Sequence, residues 1–318
     1  MSSMWLLHGL LDMLAAESSY LNVCVEAFPE TRSMTASDPQ IAEKLKVILQ
    51  SYSSCAVAFS GGVDSAVVAK AAFEALGANA VAVTAVSPSL ASSELQIARE
   101  EARLIGIRHV EIDTDEFRRP EYQANAGNRC FFCKDTLYSL TAARLKSLGV
   151  RCIVNGANTD DLGDHRPGMQ AASEHGVRSP LIEAGLNKAQ VRELARFWNL
   201  SVAEKPASPC LSSRIAYGVE VTEERVRRVE MSEAFLKQVT GLKELRVRHE
   251  ADDVARIEVP LAALQVFSDQ TKTASVVEKF KELGFRRVTL DLEGFRSGNL
   301  NDALSLVTLG TPQRTPQP

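Results

Sequence analysis

Six consecutive residues, Ser60, Gly61, Gly62, Val63, Asp64 and Ser65, have the chemistry of an anion cradle. Paired glycines let the chain turn tightly and bring its backbone against a ligand. The free amides at the start of the helical pattern that follows would then point at a negative group. A phosphate suits such a place. The spacing is not a Walker A loop, since no Gly-Lys-Ser/Thr follows, and not a dinucleotide fingerprint, since the third glycine is missing. A plain glycine turn, with Asp64 and Ser65 capping a helix, explains the same residues, and spacing alone gives the two readings about equal weight.

A second set of reactive residues falls in two stretches: Asn128, Arg129, Cys130, Phe131, Phe132, Cys133, Lys134, and Ser208, Pro209, Cys210, Leu211, Ser212, Ser213, Arg214. Cys130 and Cys133 are three apart at an expected helix start, which puts both sulfurs on one face with Asn128 placed as cap. If Cys210, in its proline-stiffened loop, closes on them, three thiolates surround one point. Zinc would need a fourth ligand that no nearby pair supplies. Three thiols suit a 4Fe-4S cluster with one open iron better. The plainer reading is small buried hydrophobes, and it is the one assigned to Cys24, Cys55 and Cys152. Lys134 and Arg214 are the nearest cations able to stabilise thiolates. Arg246 and Arg248, two apart on an expected strand, leave the same face and have the reach to grip one phosphate; on spacing alone a solvated charged face explains them better. Asp160, Asp161 and Asp164 read first as turn caps, and His109, His165, His175 and His249 as ordinary histidines.

These residues need elements to position them. Short apolar runs at residues 55–59, 80–86, 109–112 and 152–154 alternate with helical patterns at 41–49, 64–76, 93–105 and 131–148, and a further helix is expected at 188–199. That βαβ rhythm implies a parallel sheet covered on both faces, with ligands at the carboxyl ends of its strands. After Pro209 the style changes to a charged helix at 222–239, strands at 245–248 and 254–259, a helix at 275–283 and a strand at 287–292. The expected organisation is therefore a dispensable extension (1–40), a parallel α/β domain (41–214), a smaller α+β domain for substrate or oligomer contacts (215–309) and a flexible tail (310–318).

Composition narrows the partners. With 318 residues, 45% hydrophobic and 24% charged, the chain has an ordinary soluble make-up. Its 36 basic and 40 acidic residues give −4, so no global field would hold a long nucleic acid, and any anion site is local. The apolar stretch at residues 5–16 is interrupted by Asp12 and preceded by no Lys or Arg, which argues against a signal peptide; Met34 is an alternative start. A cytoplasmic protein with no membrane partner is expected, its six cysteines reduced, acting as ligands or reagents.

The hexapeptide resembles the Ser-Gly-Gly-x-Asp-Ser loop of PP-loop ATP pyrophosphatases, which implies an adenine nucleotide alpha hydrolase-like α/β fold. It also implies ATP phosphates on the loop amides of Ser60, Gly61, Gly62, Asp64 and Ser65, and Asp64 acting through Mg2+. Taken with residues 164–168, Cys210 to Arg214, Arg246 to Arg248 and residues 294–298, the chain resembles the ATP-dependent sulfur transferase LarE family. The resemblance implies adenylation of a carboxylate on a pyridinium mononucleotide and its conversion to a thiocarboxylate for the nickel-pincer nucleotide cofactor. It assigns catalysis to Cys210, Asp64, Glu233 and Glu258, and substrate phosphate binding to Arg246, Arg248, Arg214 and Arg296. Cys130 and Cys133 place the chain with the three-cysteine subgroup, where a 4Fe-4S cluster on Cys130, Cys133 and Cys210 carries sulfur and Cys210 is spared. A small-molecule substrate and a homo-oligomer are expected. A tRNA thiolase, sacrifice of the Cys210 sulfur and an amide synthetase are the alternatives.

Overall fold

The computed structural model describes residues 38–163 and 167–295. The expected extension, apart from its last residues, lies outside them, as do Asp164, His165, Arg166, Arg296 and the expected tail.

Four short strands, β1 (Cys55–Ala58), β2 (Ala80–Val86), β3 (Arg108–Asp113) and β4 (Cys152–Val154), form a sheet in the order β3-β2-β1-β4, every neighbouring pair parallel. Strand side chains alternate between faces, and the core divides accordingly. Cys55, Val57, Ala80 and Ala82 pack with helices α1 (Asp38–Ser51), α2 (Val63–Leu76), α3 (Ser92–Ile105) and α9 (Lys188–Phe197). Ala56, Val81 and Val83 pack on the other side with Leu137, Tyr138, Leu148, Ala171 and Ala172. Those residues belong to α5 (Arg129–Ala142), α6 (Leu145–Leu148) and α7 (Pro167–Glu174); α4 is the single turn Pro120–Gln123 and α8 the turn Pro180–Glu183. Both faces are thus covered, as continuous apolar strands require.

A second sheet, in the order β5-β6-β7, pairs β5 (Arg246–Glu250) antiparallel to β6 (Val254–Glu258), and β6 parallel to β7 (Arg287–Leu290). Val247, Ala255 and Ile257 face a core closed by Leu236 of α10 (Glu223–Thr240), Val276 and Phe280 of α11 (Gln270–Glu282), and Phe285. Phe117, Tyr122, Leu211, Ile215, Val221, Val226 and Val229 make one further cluster, joining the segment after Cys210 to α4 and α10. No helix among the described residues is long and apolar enough to cross a membrane.

The elements depart from sequence expectation at several places, three of which have a local cause. The helix expected at 131–148 breaks into α5 and α6, where Arg144 N bonds to Thr141 O at 3.0 Å and tightens the last turn. The helix expected from 275 begins at Gln270 because the Asp269 carboxylate accepts from the amides of Thr271 and Lys272. The eight-residue α7 and four-residue α8 were not expected; each opens on proline, which suits a first helical position, and each is too short to show periodicity.

Candidate active site

The glycine turn leaves the carboxyl end of β1 and runs straight into α2. Gly61 has φ +67°, and a Cβ there would lie 2.8 Å from Ala98 Cα, so both conformation and space call for glycine. Gly62 is the N-cap residue of α2 and no side chain caps that end. The plain capping reading of Asp64 and Ser65 is therefore overturned. Ser65 Oγ donates to Gly62 O at 3.0 Å and accepts from Ser60 N at 3.2 Å, holding the loop closed across its own turn. Asp64 turns away from the helix end: its two oxygens accept from Lys188 Nζ at 2.5 Å and Asn158 Nδ2 at 3.2 Å. Gly156 allows that approach, since a Cβ on it would sit 2.9 Å from Ser65 N. The result is a loop of amides with a fixed carboxylate beside it, which suits a polyphosphate and its divalent cation.

Cys130, Cys133 and Cys210 lie near enough to influence one another electrostatically, but among the described residues they do not form a group able to hold a metal ion. Cys130 and Cys210 are exposed and Cys133 half-buried. Burial is the largest influence on Cys133 and pushes its thiol up to about 12 against the pull of Lys134. Cys130, open on one side but with protein mass on the others, is also raised, by burial and then by Cys210, against Arg129 and Lys134. Lys134 feels all three sulfurs: burial opposes its charge, but Tyr138, Cys133, Cys130 and Cys210 hold it above the usual lysine value. Asn128 is the N-cap of α5, as expected, but its side chain makes no capping bond. The Cys210 loop is anchored by Leu211 N to Ser89 O at 2.8 Å and by a buried ring of hydroxyls, in which Ser89, Tyr122 and Ser212 lie 2.5 to 2.9 Å apart.

The arginines divide by partner. Arg214 donates Nε to Glu233 Oε1 at 3.1 Å and Nη1 to Cys210 O at 3.1 Å; Glu233 also accepts from Val247 N. Arg248 grips Glu258 through two bonds of 3.0 Å and donates to Ser213 O at 2.9 Å. Arg256 reaches the same Glu258 at 2.7 Å. Arg246 meets no carboxylate among the described residues: it donates to Leu245 O and lies 4.9 Å over the Phe295 ring. Burial lowers its pKa first, then Arg214 and Arg248, against Glu233 and Glu244. The expected two-armed grip by Arg246 and Arg248 thus has one arm already engaged.

Sequence reading did not single out Asn158, Lys188, Lys205 or Tyr122. Lys205 Nζ donates to Gly61 O at 3.1 Å and pairs with Glu94 at 2.6 Å, so the chain five residues before Cys210 touches the glycine loop. Asn158 adjoins the weighed aspartates, of which Asp161 accepts from Asn158 N and Asp160 from Lys188 N. Nothing local marks the lysines. The described histidines are structural: His109 bonds Thr84, His175 bonds Asp135, and His249 is buried against Phe285.

Residues 40–122 match the asparagine synthase family. The chain is 45% identical over 263 residues to an uncharacterized protein of Synechocystis sp., slr1717, covering 83% of this chain and 97% of that one. It is 36% identical over 271 residues to pyridinium-3,5-bisthiocarboxylic acid mononucleotide synthase of Lactiplantibacillus plantarum, covering 84% and 96%. An uncharacterized protein of Methanocaldococcus jannaschii, MJ0830, is 26% identical over 242 residues, 76% of this chain and 90% of that one. With such identity across nearly the whole of a characterised relative, around a PP-loop at the end of β1, the chain belongs to the LarE family of PP-loop proteins, ATP-dependent sulfur-transferring enzymes.

Proposed function

We propose that the enzyme adenylates a carboxylate of a pyridinium mononucleotide and converts it to a thiocarboxylate, as the name of the Lactiplantibacillus relative describes. The observation that carries this reading is the path of residues 205–214. Lys205 touches the glycine loop, Cys210 follows, Arg214 meets Glu233 on α10, and Ser213 O meets Arg248 on the second sheet. One segment joins the ATP end to the arginine end with the sulfur residue between. That is the order in which the substrate's activated carboxylate, its ring and its phosphate must be held.

In this reading Ser60, Gly61, Gly62 and Ser65 present the loop to the β and γ phosphates, and Asp64, released from Lys188, would hold Mg2+ there to neutralise phosphate charge. A substrate carboxylate oxygen attacks the α phosphorus, the bond to the β-phosphate oxygen breaks, and pyrophosphate leaves. Sulfur then attacks the acyl carbon and AMP departs. Arg246, whose charge has no carboxylate partner among the described residues, anchors the substrate phosphate, with Arg214 and Arg248 on its side of the site; Arg296, assigned the same role by the resemblance, lies outside the described residues. Glu233 and Glu258 keep Arg214 and Arg248 aligned beside the reacting groups.

The sulfur source is read as a 4Fe-4S cluster on Cys130, Cys133 and Cys210. Among the described residues no group of three or more His, Cys, Asp or Glu stands close enough to hold a metal ion, so this reading rests on the family resemblance and on three thiols near enough to act on one another. Three neighbouring thiols with Lys134 beside them suit a cluster as a donor set, since anionic thiolates need a cation near them. When bound, the cluster would supply an open iron able to carry sulfide. The test is anaerobic reconstitution with iron and sulfide assay, then one turnover with ATP and the biscarboxylate mononucleotide. Pyrophosphate release, a thiocarboxylate product and bound iron lost in Cys130→Ala, Cys133→Ala and Cys210→Ala are expected. An iron-free protein whose Cys210 loses the mass of hydrogen sulfide would replace the cluster with sacrifice of Cys210. Absence of pyrophosphate release would end the adenylation reading.

A further inference from the structure

Arg129 is a buried residue with no ion pair among the described residues. It is 4% exposed, and its one hydrogen bond runs from Nη1 to Asn125 Oδ1. That acceptor is neutral and fixed, because Asn125 Nδ2 is itself held by the carbonyls of Ile215, Ala216 and Val219 at 3.3, 2.7 and 3.0 Å. A guanidinium has five donors, and no Arg129 nitrogen is among the described buried atoms that lack a partner, so its unbonded N–H groups stay within reach of an incoming molecule. Arg214 and Arg248, equally buried, each have a glutamate. A guanidinium held in place with no acid beside it suits a ligand that brings the opposite charge. The surroundings are positive as well. Arg129 opens α5, whose N-terminus has no side-chain cap and adds the partial charge of its free amides. Lys134 lies one turn on. The Arg129 charge bears on Cys130, the next residue and an exposed one, and on Tyr217.

We propose that Arg129 binds a carboxylate on the substrate ring, the one not being activated, and so selects a dicarboxylate over a monocarboxylate; this rests on the function proposed above. A planar guanidinium fork matches a carboxylate through two parallel bonds. Arg246 stands on the arginine side of Cys210, and Arg129 on the Cys130 side. A mononucleotide whose phosphate meets Arg246 and whose ring passes Cys210 brings a second ring carboxylate toward Arg129. A bisthiocarboxylic product, as in the relative's name, derives from such a ring. The competing role for Arg129 is counter-ion to the cysteine thiolates.

The experiment compares pyrophosphate release by wild type, Arg129→Gln and Arg129→Lys with the pyridinium-3,5-dicarboxylate mononucleotide and with its 3-monocarboxylate analogue. Wild type should prefer the dicarboxylate at least tenfold in KM. Arg129→Gln should raise KM for the dicarboxylate about ten- to a hundredfold, the loss of one charge-assisted carboxylate interaction, with kcat and the monocarboxylate KM held. Arg129→Lys, charged but without the fork, should fall between. An unchanged preference in Arg129→Gln overturns the proposal, and if that variant also holds less iron the counter-ion role takes its place. A second measurement serves should the variants not fold. In wild type, pyridine-3,5-dicarboxylate should slow alkylation of Cys130 by N-ethylmaleimide more than pyridine-3-carboxylate does, and equal protection overturns the proposal. Wild type that releases pyrophosphate with neither mononucleotide refutes the proposed function, while the alkylation result still decides the carboxylate site.

Discussion

Around Ser60 to Ser65 the groups left open to an anion are backbone amides, because the two lysines nearest the loop are engaged, Lys188 with Asp64 and Lys205 with Glu94. On β5 the groups are guanidiniums: Arg248 is engaged with buried Glu258, Arg214 from the neighbouring turn with Glu233, and Arg246 is left over. The difference is one of where the folding cost falls. Amides at a helix start carry their positive end without a charge to desolvate, so the loop demands backbone geometry and little else. Arginines must be desolvated, so in this array buried Arg214 and Arg248 each bring an acid, and the array stands or falls by those acids.

Glu258→Gln should give the largest effect. Glu258 is 0% exposed and receives Arg248 and Arg256 together, so neutralising it strands positive charge in the second core. A loss of about 3–5 kcal/mol in urea unfolding is expected, and Glu258→Gln with Arg248→Met should recover part of it. A Glu258→Gln protein as stable as wild type would mean that the array does not depend on its acids. Gly61→Ala tests the other side. It adds a Cβ against Ala98 at a positive φ, and a displacement of the loop by about 1 Å should cost about a hundredfold in pyrophosphate release. Stability should fall far less than in Glu258→Gln. Arg246→Ala comes next: substrate binding should weaken about ten- to a hundredfold, with ATP binding, stability and a shallow salt dependence kept, because no carboxylate loses a partner. A steep salt slope would indicate a polyanion such as tRNA.

The same contrast explains what the sequence revealed. β2 was legible to its end residues, Ala80–Val86, because a strand buried on both faces is a continuous apolar run. The loop was legible because its function is local: two glycines, a strand before and a helix after. Partner choice was not. Asp64 takes Lys188 from 124 residues away, and Lys205 reaches Gly61 across 144. Neither lysine differs in its local pattern from any helix-start or loop lysine. Arg246 and Arg248 look alike on a strand, and even register does not choose between them: β5 sets Arg246 opposite Glu258 and Arg248 opposite Arg256, yet it is Arg248 that reaches diagonally to Glu258, so the direction each side chain takes decides the pairing.

The smallest effect concerns histidine, one in each sheet. His249 on β5 is 1% exposed; its Nδ1–H donates to Glu250 O at 3.2 Å, which leaves Nε2 to accept from Arg228 Nη1 at 3.3 Å, a neutral ring. Burial lowers its pKa below the usual 6.5, Arg228 and Arg225 add to the lowering, and Asp253 opposes it. His109 on β3 is half-buried and bonded to Thr84, and burial lowers it too, with Arg99 against Glu111. For a lowered histidine the unfolded chain takes up its proton first. Stability should therefore be level above about pH 7 and fall as pH drops through 6.5 toward the folded value, by at most about 1.4 kcal/mol per pH unit for each such proton. Urea unfolding at pH 7.5, 6.5 and 5.5 should show that slope, and His249→Gln should flatten it more than His109→Gln, because the more deeply buried ring is the harder to charge. Equal flattening by the two would show that burial does not set the acid sensitivity of the second sheet.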